Sequence, residues 1–226
     1  MNLNKKNILT VFNTESLNHF FKNREFRKVC EESRFCICDG IGLKLGSNLI
    51  GKKIFRYHGP DFMEDALKGS FKFKKVFVLG GTENDLIAIK AHYTQTEIEG
   101  FTGEIIDSDN AEYIIDIKNF DPDIVFVCLG IVKQELLAYE LSKKFPSIFF
   151  CGAGAAINFL GKSKKRSSLF FRSIGLEWLP RLIREPRMFL RILKSFNGLF
   201  GFASKENRTI FLDLPFVSCE ELKKLL

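Results

Sequence analysis

Residues 121–154 read DPDIVFVCLGIVKQELLAYELSKKFPSIFFCGAG and show the pattern that the rest of the chain repeats. A turn at Asp121-Pro122-Asp123 leads into an uncharged apolar run over residues 124–129, which has the length of a buried strand. Residues 133–145 then predict a helix, and residues 148–150 form a second apolar run that ends before Gly152. This order of strand, helix and strand is typical of a parallel sheet.

The same alternation extends toward the N-terminus. It predicts strands over residues 8–12, 35–38, 75–79 and 101–106, and helices over residues 15–32, 62–68, 83–95 and 110–118. We therefore expect an α/β fold, a Rossmann-like and mostly parallel sheet with helices on both faces. This domain should span residues 1–160. Residues 161–226 should form a basic, amphipathic helical appendage that ends in a short helix over residues 220–226.

Composition bounds the class of protein. The chain has 226 residues, of which 46% are hydrophobic, so it can bury a full core and is not of the disordered class. It contains no uncharged apolar run of about 18 residues and no signal-peptide pattern, which predicts a cytoplasmic protein without a membrane span. Four of the six cysteines lie in or at the ends of apolar runs, none forms a CxxC pair, and the three histidines are scattered. We therefore expect neither a zinc nor a redox site, and no cofactor.

Each predicted strand ends in residues that are small or able to form hydrogen bonds. These residues are Asn13, Asp39-Gly40, Gly80-Gly81, Gly130 and Gly152. Ligands of open α/β sheets bind along this carboxyl edge, where glycine lets backbone amides approach a phosphate or a sugar. The alternative is that such residues serve only the turns between strands and helices. Five of them together favour a ligand cleft.

Asp39 is the candidate catalytic group, because it follows an apolar strand and precedes a glycine at this edge. Its carboxylate can accept a proton from a sugar hydroxyl as a general base. The alternatives are a hydrogen bond to a ribose, and a turn residue that caps the following segment. Asp61 is a second carboxylate beside the same cleft, with either a substrate contact or a helix N-cap as its role.

Residues 175–191, GLEWLPRLIREPRMFLR, predict a helix with an apolar face and a cationic face, kinked at Pro186. Residues 162–194 hold ten Lys and Arg against two Glu, a net charge of +8 in a chain whose total is +7. Guanidinium groups bind phosphate oxygens in pairs, so we interpret this helix as a phosphate clamp at a membrane surface. Its four arginines are Arg181, Arg184, Arg187 and Arg191. A solvated helix face and a nucleic-acid-binding patch are the alternatives.

The sequence lacks two motifs by which enzymes commonly bind a nucleotide's phosphates, a glycine-rich loop and an acidic metal site at the cleft. The chain has no complete glycine-rich phosphate loop of the GxGxxG or GxxxxGK[ST] type. The acidic pair Asp121 and Asp123 precedes a strand, so it should lie at the edge of the sheet opposite the cleft. We therefore expect a site that needs no metal and in which cationic side chains stabilise a leaving diphosphate.

The order of these pieces resembles the WecG/TagA/CpsF glycosyltransferases over residues 8–193. The most specific piece is the segment from Gly175-Leu-Glu-Trp178 to Glu185-Pro186-Arg187, which contains the only tryptophan of the chain. The remaining pieces are Asn13, the turn Asp39-Gly40-Ile41-Gly42, Arg56 with Gly59 and Asp61, Gly80-Gly81, and Leu129-Gly130 with Lys133-Gln134-Glu135.

This resemblance implies an inverting, metal-independent enzyme. It would move an N-acetylmannosamine-type sugar from UDP to a polyprenyl-diphosphate-linked acceptor at the inner face of the cytoplasmic membrane, in the synthesis of cell-envelope polysaccharide. Asp39 would be the general base, Arg56 and Gln134 would line the site, and Asn13 would lie near the donor. Lys133 and Glu135 join the expected substrate-binding residues, and the four arginines would hold diphosphate. The enzyme would bind no nucleic acid, and a homo-oligomer is possible.

Several positions depart from the family pattern. Val11 stands where a Thr is frequent, and Thr10 should face the opposite side of its strand. Val132 replaces a usual Pro, Asn158 a common Asp, and Met188 a frequent Arg, while Arg166-Ser167-Ser168 replaces an Arg-Ala-Pro. These changes leave open which sugar and acceptor are used. They also motivate the alternative of a family member that binds sugar nucleotide without transferring the sugar.

Overall fold

A computed structural model describes residues 5–105, 112–163, 168, 171 and 198–226. In this part of the chain, parallel strands form one six-stranded sheet in the order β2-β1-β6-β5-β3-β4. The strands are β1 (Lys6–Phe12), β2 (Ser33–Cys38), β3 (Lys75–Leu79), β4 (Glu97–Phe101), β5 (Ile124–Val127) and β6 (Phe149–Gly152). The α/β class and the parallel sheet expected from the sequence are confirmed.

Helices connect the strands and cover both faces of the sheet. Those between the strands are α1 (Thr14–Lys22), α2 (Arg24–Glu32), α3 (Ile41–Leu49), α4 (Gly59–Leu67), α5 (Glu83–His92), α6 (Glu112–Phe120) and α7 (Lys133–Lys144). After β6 come α8 (Ala156–Leu160), a 3₁₀ turn (Gly201–Ala203), α9 (Lys205–Leu212) and α10 (Cys219–Leu225).

The alternation of side chains along the strands divides the core between the two faces of the sheet. Leu9, Val76 and Phe126 pack on one face beneath α4, α5, α8 and α10. Ile8 and Phe77 lie on the other face beneath α2, α6 and α7. Both faces of the central strands are thus buried, which explains why these strands appear in the sequence as continuous apolar runs.

Two predicted elements differ from the structure. The single helix expected over residues 15–32 is two helices, because the side chain of Asn23 accepts a hydrogen bond from Phe26 N at 3.0 Å and starts α2. The strand expected over residues 101–106 is wrong: the strand is Glu97–Phe101, which pairs with β3 in register from Lys75 to Leu79. Helices α3 and α9 were not predicted.

The C-terminal residues pack closely on this α/β body. Pro215 O accepts a hydrogen bond from Cys36 N at 2.8 Å, and Val217 N donates one to Cys36 O at 3.0 Å, so this segment lies alongside β2. The ring of Phe216 contacts that of Phe12 at a centroid distance of 5.5 Å. Helix α10 buries Leu222 in the same core cluster as β1, β3 and β5. The domain boundary at residue 160 stays a prediction.

The cysteines are free thiols, and all except Cys219 are buried. Burial raises the pKa of Cys36 and Cys128 to about 12, so these thiols stay protonated and unreactive at neutral pH. In the part of the chain that the structure describes, no helix has the length and apolar character needed to cross a bilayer.

Candidate functional site

The carboxyl ends of the strands meet along one edge of the sheet, because all the pairings are parallel. Asn13 follows β1 and Asp39 follows β2, and these two strands are neighbours. The amide of Asp39 donates a hydrogen bond to Phe12 O at 2.6 Å, which holds the two strand ends together. Gly152, Gly130 and Gly80 continue the edge after β6, β5 and β3, as the sequence predicts.

The carboxylate of Asp39 contacts the imidazole of His58. Asp39 Oδ1 lies 2.7 Å from His58 Nδ1, and Asp39 Oδ2 accepts a hydrogen bond from Gly59 N at 3.4 Å. The Asp39 side chain is 27% exposed and that of His58 is 13% exposed. The carboxylate therefore keeps access to solvent at the cleft edge while one of its oxygens is held by a mostly buried ring.

An extended segment brings His58 to this position. Arg56 forms a parallel bridge with Cys38, and the amide of Tyr57 donates to Cys38 O at 2.9 Å. This backbone pairing places Arg56 alongside the last residue of β2, one residue before Asp39. Helix α4 begins at Gly59, and the amide of this first residue faces the same carboxylate. The structure thus brings together the candidates Asp39 and Arg56.

Asn13 and Gly40 meet at the start of the neighbouring helices. Asn13 Oδ1 accepts a hydrogen bond from Ser16 N at 2.9 Å and caps α1. Gly40 has a φ of 112°, a conformation that favours glycine, and a Cβ built on it would lie 4.0 Å from Asn13 Cβ. Asn13 is thus on the cleft side of the edge, and its contact with a donor sugar stays a prediction.

Gln134 and Glu135 lie at the start of α7 and are nearly fully buried, with 6% and 2% of their surface exposed. Gln134 Nε2 donates to Glu135 Oε1 at 2.7 Å, and Gln134 Oε1 accepts from Gly154 N at 2.9 Å. Both polar atoms of Gln134 are therefore engaged in organising the turn after β6. The contact of Gln134 with substrate, implied by the resemblance, stays a prediction.

Burial raises the pKa of Glu135 to about 7, against the hydrogen bonds from Gln134 and Val132 that lower it. Val132 N donates to Glu135 Oε2 at 2.8 Å, which closes the first turn of α7. Val132 itself has a φ of 73°. Proline is fixed near −65°, so the backbone observed here does not accommodate the Pro that is usual in the family.

The glycines of this edge differ in what surrounds them. A Cβ on Gly152 would lie 2.8 Å from Gln134 Nε2, and one on Gly81 would lie 2.4 Å from Ile157 Cδ1. The missing side chains at these two positions make room for protein atoms. Gly130 is exposed, and a Cβ on it would meet no atom within 4 Å. At Gly130 and the exposed Lys133, this edge of the sheet is therefore accessible to a ligand.

Two further positions have structural explanations. Asp61 is the third residue of α4, whose N-cap is His58, so the N-cap role considered for Asp61 is wrong.

Thr10 and Val11 point to opposite sides of β1. Thr10 Oγ1 lies 2.7 Å from Ser33 Oγ in the interior. A Cβ built on Gly59 would lie 3.2 Å from Val11 Cγ1 and 3.7 Å from Asp39 Oδ2. Val11, rather than Thr10, thus borders the space beside Asp39.

Asn158, where the family commonly has Asp, pairs with a buried carboxylate. Its Nδ2 donates to Asp85 Oδ2 at 2.9 Å, and the same oxygen accepts from Thr82 Oγ1 at 2.8 Å. Asp85 is fully buried. The amide at position 158 is therefore matched to the negative charge of Asp85.

The phosphate clamp of Arg181, Arg184, Arg187 and Arg191 lies outside the described residues, as does Met188. Within residues 5–105, 112–163 and 198–226, no cluster of three or more His, Cys, Asp or Glu side chains is arranged to hold a metal ion. The expectation that the reaction needs no metal stays a prediction.

His58 is the site residue that the sequence pattern does not single out. It stands nineteen positions from Asp39, and only the pairing of Arg56 with Cys38 brings the two side chains together. One signal was available: His58 lies between Arg56 and Gly59, inside a segment already assigned to the cleft.

Comparison with known proteins identifies the family of this chain. The profile of the family described as "Glycosyl transferase WecG/TagA/CpsF family" matches residues 1–209. A Bacillus spizizenii protein named N-acetylglucosaminyldiphosphoundecaprenol N-acetyl-beta-D-mannosaminyltransferase is 30% identical over 196 residues, which cover 84% of this chain and 76% of that protein. Proteins with the same name from Bacillus subtilis and Staphylococcus aureus are 28% and 26% identical, over 82% and 76% of this chain and 75% and 70% of their own lengths. With a parallel α/β sheet, an aspartate at its carboxyl edge and a profile match over most of its length, this chain belongs to the WecG/TagA/CpsF family of glycosyltransferases.

Proposed function

We propose that the protein transfers an N-acetylmannosamine-type sugar from a UDP donor to a polyprenyl-diphosphate-linked N-acetylglucosamine, in the synthesis of a cell-envelope polysaccharide. The names of its relatives support this acceptor and this sugar. The observation that carries the proposal is the partly exposed carboxylate of Asp39, held at the carboxyl edge by His58 and Gly59.

Asp39 acts as the general base of this reaction. A hydroxyl of the acceptor sugar gives its proton to the carboxylate while its oxygen forms a bond to C1 of the donor sugar. The bond between C1 and the diphosphate oxygen breaks, and its electron pair leaves with UDP. Because the hydroxyl attacks from the side opposite the leaving group, the configuration at C1 is inverted.

Negative charge develops on the departing diphosphate and must be stabilised. Arg181, Arg184, Arg187 and Arg191 supply this stabilisation in the proposal, since planar guanidinium groups bind phosphate oxygens in pairs. Their positive charge replaces a metal ion at this step. In the proposal the same cationic segment holds the protein at the anionic inner face of the cytoplasmic membrane, where the lipid acceptor resides.

The remaining contacts with the two substrates are proposed from the positions of residues along the carboxyl edge of the sheet. Arg56 lies alongside the end of β2, next to Asp39, and Asn13 lies at the end of the adjacent strand. The open backbone at Gly130 and the side chain of Lys133 extend this surface beyond β6. In the proposal the acceptor sugar occupies the Asp39 end, and the donor crosses the edge from Asn13 toward Gly130.

The test is transfer by purified protein. UDP-N-acetylmannosamine and a synthetic polyprenyl-diphosphate N-acetylglucosamine are incubated with the enzyme in the presence of EDTA, and UDP release and the disaccharide lipid are measured. We expect turnover without added metal. Asp39→Asn should lower kcat about 100- to 10,000-fold, because it removes the proton acceptor. The matched control is Asp116→Asn, which removes an exposed carboxylate from α6.

Two outcomes would contradict the proposal. Unchanged turnover in Asp39→Asn would rule out the base role. Tight UDP-sugar binding by the wild-type protein with no product, across several donors and acceptors, would identify a binding protein that does not transfer the sugar.

A further inference from the structure

We propose that His58 is a positioning residue that fixes the carboxylate of Asp39 in the orientation needed for proton transfer. The inference rests on the proposed function, since it concerns the base of that reaction. It is carried by the 2.7 Å contact between His58 Nδ1 and Asp39 Oδ1, which no feature of the sequence pattern requires.

The direction of this hydrogen bond follows from the chemistry of the two groups. An ionised carboxylate only accepts hydrogen bonds, so the proton between the two side chains belongs to His58 Nδ1. His58 therefore donates, and its ring carries a proton on Nδ1 whenever Asp39 is ionised. A hydrogen bond to an ionised acceptor is roughly twice as strong as one between two neutral groups.

The surroundings of His58 hold its ring beside Asp39. Its backbone caps α4, and Phe62 N donates to His58 O at 3.0 Å, yet its side chain makes no capping hydrogen bond. The imidazole turns instead toward Asp39 and is 13% exposed. A side chain that is both packed and anchored through its backbone holds a partner more rigidly than a mobile surface residue does.

The two carboxylate oxygens of Asp39 therefore have different roles: one is held by His58, and the other can accept the proton. Oδ1 is held by His58, whereas Oδ2 accepts a hydrogen bond from Gly59 N at a long 3.4 Å. A carboxylate oxygen has two acceptor sites, so Oδ2 keeps capacity for the hydroxyl of the acceptor sugar. When Oδ2 takes that proton, Oδ1 still accepts from His58, so the ring stays in place through the step.

Kinetics test the positioning role. His58→Ala should lower kcat about 10- to 100-fold with the KM for the UDP-sugar changed less than about threefold, since base alignment is lost and donor binding is not. His58→Asn places a side-chain N–H close to the position of Nδ1 and should keep kcat within about fivefold of the wild type. The matched control is His92→Ala, which removes an exposed histidine from α5.

Coupling to Asp39 is tested in the same assay. In the Asp39→Asn background, His58→Ala should have less than about a twofold further effect on the residual rate, because the two residues act as a unit. A kcat of His58→Ala equal to the wild type, or a His58→Asn variant as slow as His58→Ala, would overturn the inference while leaving Asp39 as the base.

A spectroscopic measurement is independent of turnover. The ¹⁵N shifts of His58, assigned by comparison with His58→Asn, should show a protonated Nδ1 in the wild type and a different tautomer distribution in Asp39→Asn. A His58 ring whose shifts are the same in both proteins would show that the hydrogen bond is absent in solution. If this bond is observed but Asp39→Asn turns over normally, Asp39 is not the base and the contact is structural.

Discussion

The side-chain amide of Gln134 donates a hydrogen bond to the buried carboxylate of Glu135 at 2.7 Å. Two adjacent residues of one helix rarely face each other, and here they do so at the first turn of α7, where Glu135 also accepts from the amide of Val132. The pair therefore joins the turn before α7 to the turn after β6, where Gln134 accepts from Gly154 N. These hydrogen bonds fix the positions of the two turns relative to each other, in the middle of the carboxyl edge of the sheet.

Glu135 should make the stability of the protein depend on pH. Its pKa is about 7 in the folded state and 4.5 as a free side chain, so the folded state holds a proton that the unfolded state releases. The free energy of unfolding should therefore fall as pH rises from 4.5 to about 7, by about 3 kcal/mol. Urea unfolding of the wild type at pH 5 and pH 8 measures this fall. Glu135→Gln should show a smaller fall, and an equal fall in both proteins would assign it to other groups.

Gly152→Ala should destabilise the protein by about 1 to 3 kcal/mol. The added Cβ would lie 2.8 Å from Gln134 Nε2 and 2.9 Å from Glu135 Oε1, so the hydrogen-bonded pair must move. Gly130→Ala is the matched control for stability, because its Cβ would meet no atom within 4 Å. Thermal unfolding compares the two variants. If both have the wild-type Tm, the packing at Gly152 is looser than the distances indicate.

Asn158→Asp should lower the free energy of unfolding by about 2 kcal/mol at neutral pH. The change replaces a donor to the buried Asp85 with a second carboxylate, and two like charges at 2.9 Å repel each other. Combining it with Asp85→Asn exchanges the two groups and should recover part of the loss. A double variant that is no more stable than Asn158→Asp would show that Asp85 depends on Thr82 instead.

Replacing Arg181, Arg184, Arg187 and Arg191 together by Gln should weaken binding to anionic vesicles. Each cation near an anionic leaflet contributes about 1 kcal/mol, and this contribution is screened by salt. Flotation with vesicles of phosphatidylglycerol and phosphatidylcholine, at low and high salt, measures the effect, with pure phosphatidylcholine vesicles as the control. Equal flotation of the variant and the wild type would assign these arginines to a solvated helix face.

The sequence predicted the central strands well because their residues are buried on both sides. The strand predicted over residues 75–79 coincides with β3, in which the four side chains after Lys75 are apolar and buried. Strand β4 was misplaced because its sequence, EIEGF, puts exposed glutamates at the border of the sheet, where burial no longer imposes an apolar pattern. Helix α3, with Gly42 and Gly46 in its sequence, depends on packing such as that of Gly46 against Leu199 and Phe202.

The candidate site was predictable only in part, for a related reason. Asp39 and Asn13 could be placed because the residue after a parallel strand lies at a known edge. His58 could not, since its approach to Asp39 depends on the backbone register between Arg56 and Cys38, which local patterns do not encode. The inward orientation of Gln134 likewise depends on the missing side chain of Gly152 from a different strand.

The backbone of Pro215 and Val217 pairs with Cys36 in the middle of β2, on the outer side of this strand, and the family profile ends at residue 209. The shared family region on its own would thus leave the amide and carbonyl of Cys36, on this outermost strand, open to an extended peptide. We therefore expect the final residues to protect this strand from pairing with a second molecule, and a chain shortened to residues 1–209 to aggregate even if its catalytic residues are intact.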